Sequence, residues 1–171
     1  MLEETRGGKR KKLAWATAAV AIMVIIAFAV VYVNLNSALN SALFQSLNTF
    51  DLVSVAYPSV SPDTVDLNIT FSLENPTSYT TKVSAIMLSF RVDEKDIGSV
   101  NFEPNQDLPP GEENFFYFFR HVTDENILMS FNNQTYNLVI KGKISASVSH
   151  FFVGASRSRD IDSIREVNGI S

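Results

Sequence analysis

Asp63–Glu74 reads DTVDLNITFSLE, and the alternation inside it decides the fold class. Val65, Leu67, Ile69, Phe71 and Leu73 share one parity; Asp66, Asn68, Thr70, Ser72 and Glu74 share the other. Successive side chains of a strand point to opposite faces, so this segment predicts a strand with one buried face and one wet face. The pattern continues outward on both sides. Leu52–Val60 reads as a weaker strand, and Pro58 suits an edge because proline cannot donate to a ladder. Lys82–Asp93 alternates again, with Ile86, Leu88, Phe90 and Val92 on one side, and Asp93-Glu94-Lys95-Asp96 turns the chain into a short strand, Ile97–Phe102. Pro104, Pro109, Pro110 and Gly111 bound a loop. Glu112–Val122 carries aromatics at every position from Phe115 to Phe119, which predicts a strand covered on both faces. Thr123–Asn132 predicts a short helix with Thr123 as N-cap and Ile127, Leu128 and Phe131 at helical spacing. Thr135–Val153 alternates once more, with Tyr136, Leu138, Ile140, Ile144, Ala146 and Val148 on one side and Gly142 marking a bulge. About seven short strands with Pro/Gly turns and one short helix predict an antiparallel β-sandwich with a single core.

Ahead of the sandwich the period changes. Leu13–Val33 (LAWATAAVAIMVIIAFAVVYV) contains no charge, Gly or Pro and follows Lys9-Arg10-Lys11-Lys12. Roughly 20 residues at 1.5 Å each match the ~30 Å hydrocarbon core of a bilayer. The apolar run is longer than the h-region of a cleaved signal peptide, which favours an anchor. Arg6 and Lys9 to Lys12 lie on one flank, and the next basic residue after them is Lys82. That asymmetry places the N-terminus in the cytoplasm and the remainder outside, in a cell membrane. Residues 34–50 (NLNSALNSALFQSLNTF) repeat Leu35, Ala38/Leu39, Ala42/Leu43, Leu47 and Phe50 at helical spacing, so one helix runs from Leu13 to about Phe50. The stripe on this stalk predicts packing against the chain's own domain in preference to self-association or the headgroup layer. The expected organisation is a basic leader at 1–12, a span at 13–33, a stalk at 34–50, a sandwich at 51–155 and a flexible tail at 156–171.

Composition narrows the chemistry. From Asn34 onward the chain carries 9 Lys and Arg against 16 Asp and Glu, so it offers no basic face for nucleic acid. Cysteine is absent, which removes disulfides, thiol catalysis and thiolate metal sites. His121 and His150 are the only histidines and lack the spacing of a zinc site. There is no nucleophile elbow, phosphate loop or HExxH. No catalytic residue, metal or cofactor is expected. Asp93-Glu94-Lys95-Asp96 has oxygen ligands for a hard cation, but Lys95 and the missing EF-hand pattern favour a solvated turn. Asn68-Ile-Thr70 and Asn133-Gln-Thr135 are glycosylation sequons, with Asn68 on the polar face of its strand. Phe115, Phe116, Phe118, Phe119, Phe151 and Phe152 could together line an apolar groove for lipid; core packing is the simpler use of such rings.

Phe71-Ser-Leu-Glu-Asn75-Pro76-Thr77, a strand ending on Asn-Pro, resembles the hallmark of the group-2 late embryogenesis abundant (LEA-2) family, which includes the WHy (water stress and hypersensitive response) domain. The Ile86–Gly98 hairpin, the Pro109-Pro110-Gly111 loop, and the helix followed by Tyr136-Asn-Leu-Val-Ile-Lys-Gly142 fit the same order. The resemblance covers residues 50–155. It implies a fibronectin-III-like sandwich, in members with one N-terminal span, without an agreed enzymatic activity and with links to stress protection and lipid binding. Turn chemistry accounts for Asn75 and Pro76 by itself: Pro76 ends the ladder and Asn75 fixes the turn. The sequence therefore points to a membrane-anchored, non-enzymatic module that protects or binds. Its expected partners are membrane lipids through residues 13–50 and a protein in the cell envelope. A tethered lipid-handling domain and a subunit of an envelope assembly are the alternatives.

Overall fold

The computed structural model describes residues 4–170, with side chains described from residue 15 to residue 170. The side chains of the basic leader at 1–12 thus lie outside the described residues. The chain divides into two compact units, one ending at Ala38 and the other beginning at Leu39.

The first unit belongs to helix α1 (Glu4–Asn48). Its apolar stretch is left uncovered by protein on every side: Ile22, Met23, Val24, Ile25 and Val31 all expose more than half their surface. Among the described residues this is the one helix long and apolar enough to cross a membrane, a property that signal sequences share.

The second unit is an antiparallel β-sandwich. Strands β1 (Asp51–Ser61), β2 (Thr64–Glu74) and β6 (Glu113–Val122) form one sheet in the order β1-β2-β6. Strands β3 (Thr81–Val92), β4 (Lys95–Phe102), β7 (Thr135–His150) and β8 (Val153–Asn168) form the other, in the order β4-β3-β7-β8, and the short β5 (Gln106–Leu108) also pairs with β3. This is the fibronectin-III/immunoglobulin-like architecture. The alternation of β2 is realised in full, since Val65, Leu67, Ile69, Phe71 and Leu73 are all buried. Their opposite numbers are Val83, Ile86, Leu88, Phe90 and Val92 on β3. A register shift between Val83 and Ala85 lets Val83 and Ile86 face the same core despite odd spacing. Stacked rings bridge the sheets, with Phe90 on Phe118 at 4.1 Å and on Phe71 at 5.8 Å.

The stalk does not end where the sandwich begins. Leu39, Ala42, Leu43, Ser46 and Leu47 are buried, an i, i+3, i+4, i+7, i+8 stripe that makes the last turns of α1 part of the core. Helix α2 (Glu125–Phe131) is capped by Asp124, whose carboxylate accepts from the Asn126 and Ile127 amides, and not by Thr123.

Two further expectations are corrected. Residues 156–168 are not a loose tail. They belong to β8, which pairs with β7 from Val153↔His150 to Asn168↔Thr135. Gly142 does not mark a bulge, because the β3–β7 register runs unbroken through Leu88↔Gly142. It marks a close approach instead. A Cβ there would lie 2.0 Å from the Met87 carbonyl oxygen.

Because Leu43 is core, Leu43→Ala should lower the unfolding free energy of the full chain by about 3 kcal/mol. The exposed neighbour Gln45→Ala should change it by less than about 0.5 kcal/mol. Chemical denaturation of both variants checks this.

Candidate functional site

Asn75 sits immediately after β2, fully buried. Its side-chain amide donates to the carbonyls of Tyr79 and Leu108, both at 2.7 Å. Its carbonyl oxygen accepts from Ser46 Oγ at 2.9 Å, Thr77 Oγ1 at 2.7 Å and the Thr77 amide at 3.2 Å. Its backbone N–H donates to the Glu112 carbonyl, and its own carbonyl accepts from Gly111 N–H. One residue thus joins the end of α1, the β2–β3 connection, β5 and the Pro109-Pro110-Gly111 loop. Ser46 Oγ also lies 3.4 Å from Thr81 Oγ1, and Thr49 Oγ1 donates to the Glu74 carbonyl. These side chains are satisfied from within, so the cluster acts as a structural clasp.

Alternation splits the aromatic block. Phe116 and Phe118 turn into the core, where Phe116 lies 6.1 Å from Phe102. Phe115, Tyr117 and Phe119 turn outward, 46%, 64% and 61% exposed. The strand is therefore covered on one face only, the face that carries Phe116 and Phe118. Phe151 and Phe152 occupy the β7–β8 turn, with Phe151 at φ 52°, and are 87% and 56% exposed. The six phenylalanines named from the sequence do not line one groove. Asn68 is half-buried on the outer face of β2, paired with Phe119, and Asn133 is exposed between α2 and β7.

The remaining polar candidates hold local structure. Asp93 accepts from the Asn137 amide at 2.8 Å and Asp96 from the Gly98 amide at 2.6 Å, while Lys95 donates to the Asn126 carbonyl. Among the described residues no cluster of three His, Asp or Glu could hold a metal. His121 Nδ1 lies 2.7 Å from Asp66, and His150 packs edge-on against Tyr79 and Phe151. A cleft of about 200 Å³ opens between the β1 and β8 edges, where Arg165 pairs with Asp51.

A second polar contact joins the sheets. Tyr136 and Tyr57 hydroxyls lie 2.6 Å apart, and Tyr57 donates to the Asn168 carbonyl at 2.9 Å, so Tyr136 is the donor between them. Sequence reading gave Tyr136 only as a core-side residue, because nothing in a single strand shows which hydroxyl it will meet. Burial, and then the bond to Tyr57, raise the Tyr136 pKa well above its usual 10.0; burial also raises that of Tyr57.

No protein-family model and no curated protein matches the chain. Among solved structures it is similar to a candidate late embryogenesis abundant protein, at 14% identity over 82% of this chain and 89% of the other, TM-score 0.40. It is also similar to an Arabidopsis thaliana protein, at 18% identity over 67% and 80%, TM-score 0.39. A Northeast Structural Genomics Consortium target gives 11% identity over 71% and 88%, TM-score 0.49.

Two outcomes follow from the clasp and the tyrosine pair. Asn75→Asp replaces a donor with a buried acceptor that faces two carbonyls, so it should cost about 3 kcal/mol or more in denaturant unfolding. The raised tyrosine pKa values give a stability term that is complete below pH 10.0 and is lost as pH rises through the folded-state values. Thermal unfolding should show Tyr136→Phe losing less stability than the parent between neutral and strongly alkaline pH.

Proposed function

We propose that this chain is a single-pass membrane protein that holds a non-enzymatic, LEA-2/WHy-like β-sandwich at the outer surface of a cell membrane, where it serves as a protective or binding module. The observation that carries this reading is α1. Its stretch up to Val33 exposes apolar side chains on every side, a surface that water disfavours and a bilayer accommodates. The cations at Lys9–Lys12 support a cytoplasmic N-terminus, with the acidic sandwich outside. The Asn75-Pro76 strand end, the Pro-Gly loop and the order of strands support the LEA-2 resemblance. An acidic, charged outer surface keeps such a domain hydrated and resists association as water activity falls.

A lipid-handling role is the second reading, favoured by the exposed Phe151 and Phe152 at the β7–β8 turn. The core between the sheets has no room for a lipid, because the cavity among Phe50, Phe71, Phe102 and Phe118 is only about 10 Å³. Native mass spectrometry of the full chain tests this: release without any bound lipid removes the second reading.

The topology is checked by protease treatment of intact cells carrying the full chain tagged at either end. External protease should remove a C-terminal tag and spare an N-terminal one. The reverse pattern would place the sandwich in the cytoplasm and overturn the proposal.

A further inference from the structure

β6 is the last strand of its sheet, and among the described residues no strand pairs with its outer edge. An open edge presents unpaired N–H and C=O groups, and natural sheets guard it with charge, proline or local distortion. The other edges of this sandwich are guarded in that way. β1 has Pro58 within a register shift. β4 has Gly98 at φ 122° beside another shift. β8 carries Arg157, Arg159, Asp160, Asp162 and Arg165. From Asn114 to Phe119, β6 has no charge, proline or glycine, and its three outward rings are about half exposed or more.

The sequence of this edge is self-complementary. Glu113-Asn-Phe-Phe-Tyr117-Phe-Phe-Arg-His121 presents the same order of rings in either direction from Tyr117. Two antiparallel copies related by a two-fold axis at Tyr117 put Phe115 opposite Phe119, Phe116 opposite Phe118, and Tyr117 opposite itself. Each pair then lies on one face of the joint sheet, as antiparallel pairing requires. At the ends Glu113 meets His121, whose Nδ1 holds Asp66, and Asn114 meets Arg120. A slip of one residue would reverse every face, and a slip of two would cut the opposed ring positions from five to three. The ring order thus selects one register.

We infer that the partner of this edge is a second copy of the chain, joined β6 to β6 so that the two three-stranded sheets become one continuous sheet. Asp51 and Phe115 both pair with Ser72, so α1 leads into the sheet near the start of β6. The antiparallel register therefore sets the two copies of the segment 39–48, the part of α1 within the sandwich unit, at opposite ends of the joint sheet.

The absence of cysteine makes the register directly readable. Opposed residues in an antiparallel pair lie within disulfide reach. The full chain carrying Tyr117→Cys, in detergent under mild oxidation, should form a disulfide-linked dimer. Phe115→Cys and Phe119→Cys should cross-link better when mixed than either does alone. Thr70→Cys, on the outer face of the neighbouring strand, measures random collision. Tyr117→Lys, at an exposed position that folding tolerates, should give a monomer by native mass spectrometry where the parent is a dimer. Cross-linking at Tyr117→Cys no greater than at Thr70→Cys, a monomeric parent at micromolar concentration, or a dimer that survives Tyr117→Lys would each overturn the inference.

Discussion

The buried amide of Asn75 is the constraint on which the rest of this sandwich depends. A two-sheet sandwich leaves its ends open, and here one end is closed by the last turns of a helix. Apolar burial of Leu39, Leu43 and Leu47 supplies the driving force for that closure, but burial has no direction. The Asn75 amide supplies direction. Its donors fix the Tyr79 and Leu108 carbonyls, and its acceptor fixes Ser46 and Thr77. An apolar residue of similar size would fill the space and leave these groups without partners, at about 1–3 kcal/mol each. Helix, connection and loop are therefore mutually dependent, and none can move without breaking a buried bond.

The folded unit starts inside the helix. The sequence boundary at 50/51 follows the change from helical to alternating period, whereas the compact unit begins at Leu39. A fragment beginning at residue 51 would lack Leu39, Leu43, Leu47 and Ser46, and with them both the apolar cover and one bond of the clasp. α1 changes role along its length, from an uncovered apolar surface up to Val33 to a core stripe from Leu39 onward.

Elements with one buried face were legible in the sequence, because burial writes the pattern. β2, β3 and β7 alternate for that reason. β8 was illegible because it is held by sixteen residues of ladder with β7 and by surface contacts such as Lys141–Asp162 and Lys143–Asp160, and only Val153 and Ile161 are buried. Backbone pairing leaves no trace in side-chain period. β6 was misread because an unbroken aromatic run has the same appearance in a strand buried on both sides and in an edge strand with an exposed apolar face. What separates the two is whether a second layer covers the outer face, and here Phe115, Tyr117 and Phe119 stay exposed. Turn chemistry at Asn75-Pro76 was readable locally, but its partners at Ser46 and Leu108 lie 29 and 33 residues away, and no local signal names them.

The central claim is that the end of α1 and the sandwich form one cooperative unit tied at Asn75. Native-state hydrogen exchange on the full chain measures this most directly. The account predicts that the amides of residues 42–47 exchange only through the same global opening that exposes β2 and β3, with matching free energies and denaturant dependence. Exchange of residues 42–47 by a separate, lower-energy opening while β2 stays protected would contradict it.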